Sequence, residues 1–81
     1  EREMMLIKLK ATGQHRDEVK RTVDIFRGQI VDVTSSIYTV QLIGDQGKLD
    51  AFISAIGEAY VLETVRTGVS GIGRGDKVLS I

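Results

Sequence analysis

The sequence contains no cysteine and no proline, and its aromatic side chains are two tyrosines, two phenylalanines and one histidine. The absence of cysteine excludes disulfides, zinc sites built on thiolates and catalysis by a cysteine nucleophile. Eleven basic and eleven acidic residues cancel, so the net charge provides no attraction to nucleic acid or to an anionic membrane. No apolar run approaches the roughly 20 residues that span a membrane. The length of 81 residues predicts one compact domain over residues 1–81.

Hydrophobic periodicity predicts four strands and two helices. Apolar and polar residues alternate over residues 4–10, 29–35 and 37–43, and more weakly over 60–67, as in strands with one covered face. Two segments have helical spacing instead, the first over residues 15–26 and the second after Asp45, a predicted N-cap. Gly28 is predicted to be the left-handed residue that ends the first helix, and Ser35 and Ser36 to form a hairpin turn. The apolar stripes of the helices, predicted to face the core, are Val19, Val23 and Phe26, then Leu49, Phe52, Ile53 and Ile56.

The order strand, helix, strand, strand, helix, strand predicts an α+β fold. A split βαβ of this kind makes a four-stranded antiparallel sheet with both helices on one face, and the right-handed crossover rule selects the ferredoxin-like βαββαβ topology. The second sheet face would then be open, and a semi-apolar open face marks an association surface. We expect it to pack on a second copy or another subunit, the alternative being scattered exposed apolar residues. The apolar residues expected on this face are Met4, Leu6, Ile30, Ile37 and Ile43.

Few side chains in the sequence could carry out catalysis. His15 is the only histidine, and Asp17 and Glu18 beside it point in different directions around a helix, so we expect an exposed histidine and no metal site. The serines lack a nucleophile-elbow pattern. The glycine run of residues 71–75 does not complete a phosphate-binding G-x-G-x-x-G, because Asp76 follows it, and no helical pattern comes after. A turn-rich tail is expected there, and neither a catalytic nor a metal-binding residue is expected in the chain.

RNA-recognition modules share the ferredoxin-like fold and stack bases on aromatic residues of their central strands. Only Tyr38 and Tyr60 are available for that role here. Tyr38 shares its predicted face with Val40 and Leu42, which favours a core or interface position. Aromatic content and charge together argue against nucleic-acid binding.

Whole phrases of the sequence resemble the C-terminal half of acetolactate synthase small subunits. They run in order and cover nearly all of the chain, although none is a catalytic motif. The matching phrases are residues 2–8 (REMMLIK), 16–19 (RDEV), 26–33 (FRGQIVDV), 38–41 (YTVQ), 47–52 (GKLDAF), 66–68 (RTG) and 74–77 (RGDK).

The resemblance implies a non-catalytic, ACT-related regulatory domain that serves branched-chain amino acid biosynthesis in the cytoplasm. In such subunits an N-terminal ACT domain precedes this one and binds valine or another branched-chain amino acid. The chain begins with Glu1 instead of methionine, which favours a piece of a longer protein, and no signal peptide opens it. Thiamine diphosphate, magnesium and FAD belong to the catalytic subunit of the family. No ligand-binding residue and no cofactor are therefore expected in residues 1–81.

The resemblance also implies two partners, a second copy of the chain and the catalytic large subunit of acetolactate synthase. The domain would help to transmit valine inhibition to that subunit. The alternatives are a stand-alone, small-molecule-sensing ACT-like module and an enzyme. The enzyme alternative is disfavoured, because the sequence offers no convergent acid, base or nucleophile. The predicted partner contacts flank turns in the matching phrases and are Arg27, Gln29, Arg74 and Asp76.

Overall fold

The computed structural model describes residues 2–68, which form a four-stranded antiparallel sheet and two α-helices. The strand order β2-β3-β1-β4 confirms the predicted ferredoxin-like topology. Residues 69–81, with the predicted tail and the candidates Arg74 and Asp76, lie outside the described part. Neither helix of residues 2–68 is long and apolar enough to cross a membrane. The elements are β1 (Glu3–Lys10), α1 (His15–Ile25), β2 (Gln29–Val33), β3 (Ile37–Gly44), α2 (Gln46–Ile56), a 3-10 helix (Glu58–Tyr60) and β4 (Val61–Arg66).

The core lies between the sheet and the helices. Alternate residues of β1 and β3 point toward the helices, because successive side chains of a strand face opposite sides of the sheet. Each helix buries the stripe that its apolar spacing predicted, with Phe26 and Ile53 partly buried at its border. The fully or nearly fully buried apolar residues are Met5, Ile7, Leu9, Ala11, Val19, Val23, Val40, Leu42, Leu49, Phe52 and Ile56.

The start of α2 and the turn between β2 and β3 form as the sequence predicts. The Asp45 side chain caps α2, its Oδ1 accepting a hydrogen bond from the backbone N–H of Lys48 at 2.8 Å. Between β2 and β3, the N–H of Thr34 donates to the carbonyl oxygen of Ile37 at 2.9 Å, which closes a turn over Ser35 and Ser36. These contacts fix where the second helix begins and how the hairpin reverses.

The residue that leaves α1 in a left-handed conformation is Arg27, with φ of 60°, and the prediction of Gly28 for this role was wrong. Gly28 is needed for space instead. A Cβ atom added there would lie 3.0 Å from Cγ1 of Val40 and 3.2 Å from Cγ1 of Val23. The chain therefore passes close to the core at Gly28, and a side chain would push β3 away from α1.

Both edge strands of the described sheet carry a bulge. In β2 the pairing shifts between Ile30 and Asp32, so Val31 is the extra residue. In β4 Leu62 is the extra residue, because Glu63 pairs with Lys8 while Val61 pairs with Leu9. Each bulge bends its strand and interrupts the regular row of backbone hydrogen-bonding groups.

The open sheet face as the candidate functional site

The face of the sheet turned away from the helices carries an apolar patch at one end. Met4 and Leu6 of β1 point to this face because they alternate with buried neighbours. Met4 lies opposite Ile43 on β3, and Leu6 lies opposite Val65 on β4. We call these four residues the apolar patch. Leu6, Ile43 and Val65 are 36%, 39% and 58% exposed, which is unusual for large aliphatic side chains so close together.

The other end of the open face is charged and polar. Lys8 and Glu63 face each other across β1 and β4 with 3.3 Å between Nζ and Oε1, and both side chains are exposed. Such an exposed ion pair contributes about 0–1 kcal/mol to stability. Thr39 lies opposite Lys8 on β3. The open face is thus divided between an apolar end and a polar end along the same strands.

Four of the five apolar residues predicted for this face are correctly placed, and Ile30 is not. Ile37 is half-buried on β3 and in phase with Ile43, at the polar end of the face. Ile30 pairs with Val40 and packs against the core. The reason is the bulge at Val31, since one extra residue reverses the side to which the alternation points.

A charged cluster joins β1, β4 and α2 on the covered side of the sheet, at the same strand ends that carry the apolar patch on the open side. The Glu3 carboxylate is buried and accepts hydrogen bonds from Nε and Nη2 of Arg66 at 3.3 and 3.2 Å. It also accepts one from the backbone N–H of Gly68 at 3.2 Å. Nη1 of Arg66 donates to Oδ1 of Asp50 on α2 at 2.9 Å. The hydrogen bonds to Glu3 and then to Asp50 raise the pKa of the Arg66 guanidinium.

This charged cluster was not predicted from the sequence, although one signal for it was present. Glu3 is in phase with the inward-facing residues Met5, Ile7 and Leu9, so the alternation of β1 places a carboxylate on the covered face. A carboxylate in that position needs a cationic partner. Nothing in the local pattern identified Arg66, which is 63 residues away in the sequence.

Residues 2–75 match the sequence model of a family described as the small subunit of acetolactate synthase. The chain belongs to this family. It is 59% identical over 80 residues to the acetolactate synthase isozyme 3 small subunit of Escherichia coli K12, covering 98% of this chain and 49% of the relative. It is 56% identical over 78 residues to the Haemophilus influenzae acetolactate synthase small subunit, covering 95% and 48%. The chain spans about half the length of these curated relatives.

A solved structure confirms the fold of this small-subunit domain. The crystal structure of the acetolactate synthase small subunit from Thermotoga maritima superposes with a TM-score of 0.74 at 35% sequence identity. The likeness covers 80% of this chain and 40% of the other one. It places the described sheet and helices in the small-subunit family as a structural unit.

Two of the four predicted partner contacts lie in the described part of the domain. Gln29 is exposed on β2 opposite Gln41, and Gln41 lies opposite Leu6. Gln29 therefore belongs to the same row across the open face as Leu6 and Val65. Arg27 is exposed between α1 and β2, two residues before that row. The structure thus associates Gln29 with the apolar patch, while its role as a partner contact stays a prediction.

The prediction of an exposed His15 was wrong. Its side chain is only 24% exposed because its ring stacks on Tyr60, with 3.8 Å between ring centroids and 26° between ring planes. Nδ1 lies 3.3 Å from Oε2 of Glu18, and Nε2 is buried without a hydrogen-bond partner among the described residues. No group of three metal-ligating side chains occurs in residues 2–68. His15 therefore joins the start of α1 to the 3-10 helix as a packing residue.

Proposed function

We propose that this chain is the C-terminal domain of a regulatory small subunit of acetolactate synthase. In this proposal it pairs with a second copy of itself and helps to transmit valine inhibition to the catalytic large subunit in the cytoplasm. The observation that carries the pairing is the apolar patch, four aliphatic or thioether side chains held together on a sheet face opposite both helices. Covering such a patch removes apolar surface from water, at about 25 cal/mol per Å².

The open face is a better association surface than the sheet edges. The extra residues Val31 and Leu62 interrupt the outer edges of β2 and β4, which disfavours continuous strand pairing with another copy. The open face also carries both signs of charge, on Lys8 and Glu63, beside the apolar patch. A second copy packed on this face would cover the apolar patch. A specific interface of this kind buries on the order of 1,000 Å² in total.

Sedimentation equilibrium at micromolar concentration tests the self-association. The 8.9 kDa chain should sediment with twice that mass. A Leu6→Lys variant should sediment as a monomer, because it places a charge in the apolar patch. Val31→Lys is the matched control, since Val31 is also an exposed aliphatic strand residue but lies at the edge bulge, and it should remain a dimer. A wild-type mass near that of one chain would reject the proposal.

The proposal assigns the valine site to another domain of the subunit. An amino acid needs partners for its ammonium and its carboxylate at once. A groove of about 460 Å³ on the described part of the domain is lined by Asp50, Ile53, Ser54 and Glu58, and these four residues provide no cation for a carboxylate. Calorimetry of the chain with millimolar valine should therefore show no saturable heat. Saturable binding would favour the alternative function, a stand-alone ACT-like sensor.

A second experiment tests the transmission of inhibition. A small subunit that ends before Glu1 should lose valine sensitivity when it is recombined with the catalytic subunit, and unaltered inhibition would contradict the proposal. Charge reversal at the predicted partner contacts Arg27 and Arg74 should weaken assembly with the catalytic subunit. Arg21→Glu on the exposed surface of α1 is the control. Full assembly and inhibition with Arg74→Glu would remove Arg74 from the contacts, and Gln29 and Asp76 are tested by alanine substitution in the same assay.

A further inference from the structure

Arg66 is the last residue of β4, and this strand end contributes side chains to both faces of the sheet. On the covered side its guanidinium binds the buried Glu3 carboxylate and Asp50 of α2, as described above. Its sequence neighbour Val65 points to the open face and belongs to the apolar patch. Because β4 is an edge strand of the described sheet, only β1 flanks it there, and the ion pairs add a second attachment at its end.

Met4, the residue after Glu3, is fixed by the same strand end. Its N–H donates to Oγ1 of Thr67 at 3.0 Å, and its carbonyl oxygen accepts from the N–H of Thr67 at 3.0 Å. The ion pair between Glu3 and Arg66 thus joins the ends of β1 and β4 on the covered side of the sheet. The same two strand ends carry Met4 and Val65 on the open face. The coupling is direct, because Glu3 is bonded to Met4 and Arg66 to Val65, and successive residues of a strand point to opposite faces.

We propose that Arg66 is a positioning residue that couples α2 to the open face: its bonds to Asp50 and Glu3 set the positions of Val65 and Met4 and thereby the affinity of self-association. The inference rests on the proposed pairing through the apolar patch. Asp50 is then a regulatory position, because its carboxylate orients the guanidinium from the helix side while its own side chain is 68% exposed.

The test replaces Asp50 by asparagine in the full chain and measures the dimer dissociation constant by sedimentation equilibrium. Asp50 is exposed, so the variant should fold, and Glu3 keeps its partner. Coupling through a packed network typically changes affinity by roughly 2–30-fold, and a weakening in this range is expected. Asp24→Asn is the matched control, because it removes the negative charge from an exposed 2.8 Å ion pair with Lys20 that lies within α1, and it should leave the dissociation constant unchanged.

Two further readouts separate positioning from a general loss of stability. Arg66→Lys keeps a cation for Glu3 but lacks the planar fork that serves two carboxylates, so it should weaken pairing to a similar extent. Combining it with Asp50→Asn should add little, because both changes weaken the same ion pair between Asp50 and Arg66. Methyl resonances of Val65 and Leu6 should shift in Asp50→Asn and not in Asp24→Asn.

The possible results separate this inference from the proposed function. A dimeric wild type whose dissociation constant and Val65 resonances do not respond to Asp50→Asn would overturn the positioning role and leave the pairing intact. Additive effects of Asp50→Asn and Arg66→Lys would overturn it as well. A monomeric wild type would overturn the pairing, and the positioning role with it.

Discussion

The ring of Phe26 meets the ring of Phe52 edge to face, with 5.4 Å between ring centroids and 78° between ring planes. Phe26 follows α1 and Phe52 lies in the middle of α2, so this pair joins the two helices above the sheet. Edge-to-face pairs contribute about 0.5–1.5 kcal/mol beyond the burial of their area. Phe52 is fully buried and is the largest side chain in the core.

Phe52→Ala should lower the free energy of unfolding by about 3–5 kcal/mol, because it removes apolar contacts and leaves a cavity. This is a large share of the 4–12 kcal/mol, roughly, that a domain of this length possesses. Urea unfolding followed by circular dichroism measures the change. Ile25→Ala on α1, where the side chain is 70% exposed, should change stability by less than about 0.5 kcal/mol. Equal urea midpoints for the wild type and Phe52→Ala would show that α2 packs differently.

Gly28→Ala and Gly47→Ala should have opposite effects on stability. At Gly28 the new methyl group would meet Val40 and Val23 at 3.0–3.2 Å, and overpacking of this kind costs about 1–3 kcal/mol. At Gly47, in the first turn of α2, the nearest atom is Oδ1 of Asp45 at 3.4 Å, and alanine gains up to about 1 kcal/mol in helix propensity. Thermal unfolding of the two variants compares them, and a stabilised Gly28→Ala would contradict the close packing of β3 against α1.

Asp45→Ala should destabilise the domain by about 1 kcal/mol, because it removes the acceptor for the N–H of Lys48 at the start of α2. Asp45→Ser should retain most of the stability, since a serine hydroxyl oxygen also caps helices. Denaturation midpoints of the two variants provide the measurement. Equal losses for alanine and serine would mean that charge, and not the hydrogen bond, stabilises this helix end.

Arg66→Gln should cost about 1–3 kcal/mol, because it leaves the buried Glu3 carboxylate without its cation. Replacing both residues by glutamine should recover part of this loss.

A pKa raised on folding stabilises a protein at every pH below the unfolded value, and the effect is lost only as the pH rises through the folded value. For an arginine both values lie above the usual range of experiments. The guanidinium's contribution to the difference in unfolding free energy between the wild type and Arg66→Gln should therefore be constant from pH 6 to 9. Urea titrations at several pH values would test this.

The fold was predictable because the period of apolar residues changes clearly along the chain. Leu49, Phe52 and Ile56 recur at helical spacing, and Met5, Ile7 and Leu9 alternate, so the element types and their order follow. The turns were recognisable from residues with a direct chemical role, such as Asp45. Local pattern was sufficient for the type and the order of the elements.

Two of the three errors depend on contacts between residues that are distant in the sequence. The bulge at Val31 reverses the alternation, and one strand read alone gives no sign of it, so Ile30 was assigned to the wrong face. Tyr60 covers His15 from 45 positions away in sequence, which no spacing near His15 predicts. The error at Gly28 is local, because the left-handed residue is Arg27, one position earlier, and Gly28 is confined instead by Cγ1 of Val40 and Cγ1 of Val23.

The bulges in β2 and β4 also bear on what happens when many copies of this chain are crowded together. An unbroken strand edge can act as a template on which extended segments of other molecules accumulate into cross-β fibrils. In the described sheet both outer strands bend at an extra residue, Val31 in β2 and Leu62 in β4, so an incoming segment would meet an interruption of its hydrogen-bonding register within either strand. Growth by lateral addition of strands is therefore disfavoured at both edges of the described sheet, although one of its faces carries the apolar patch.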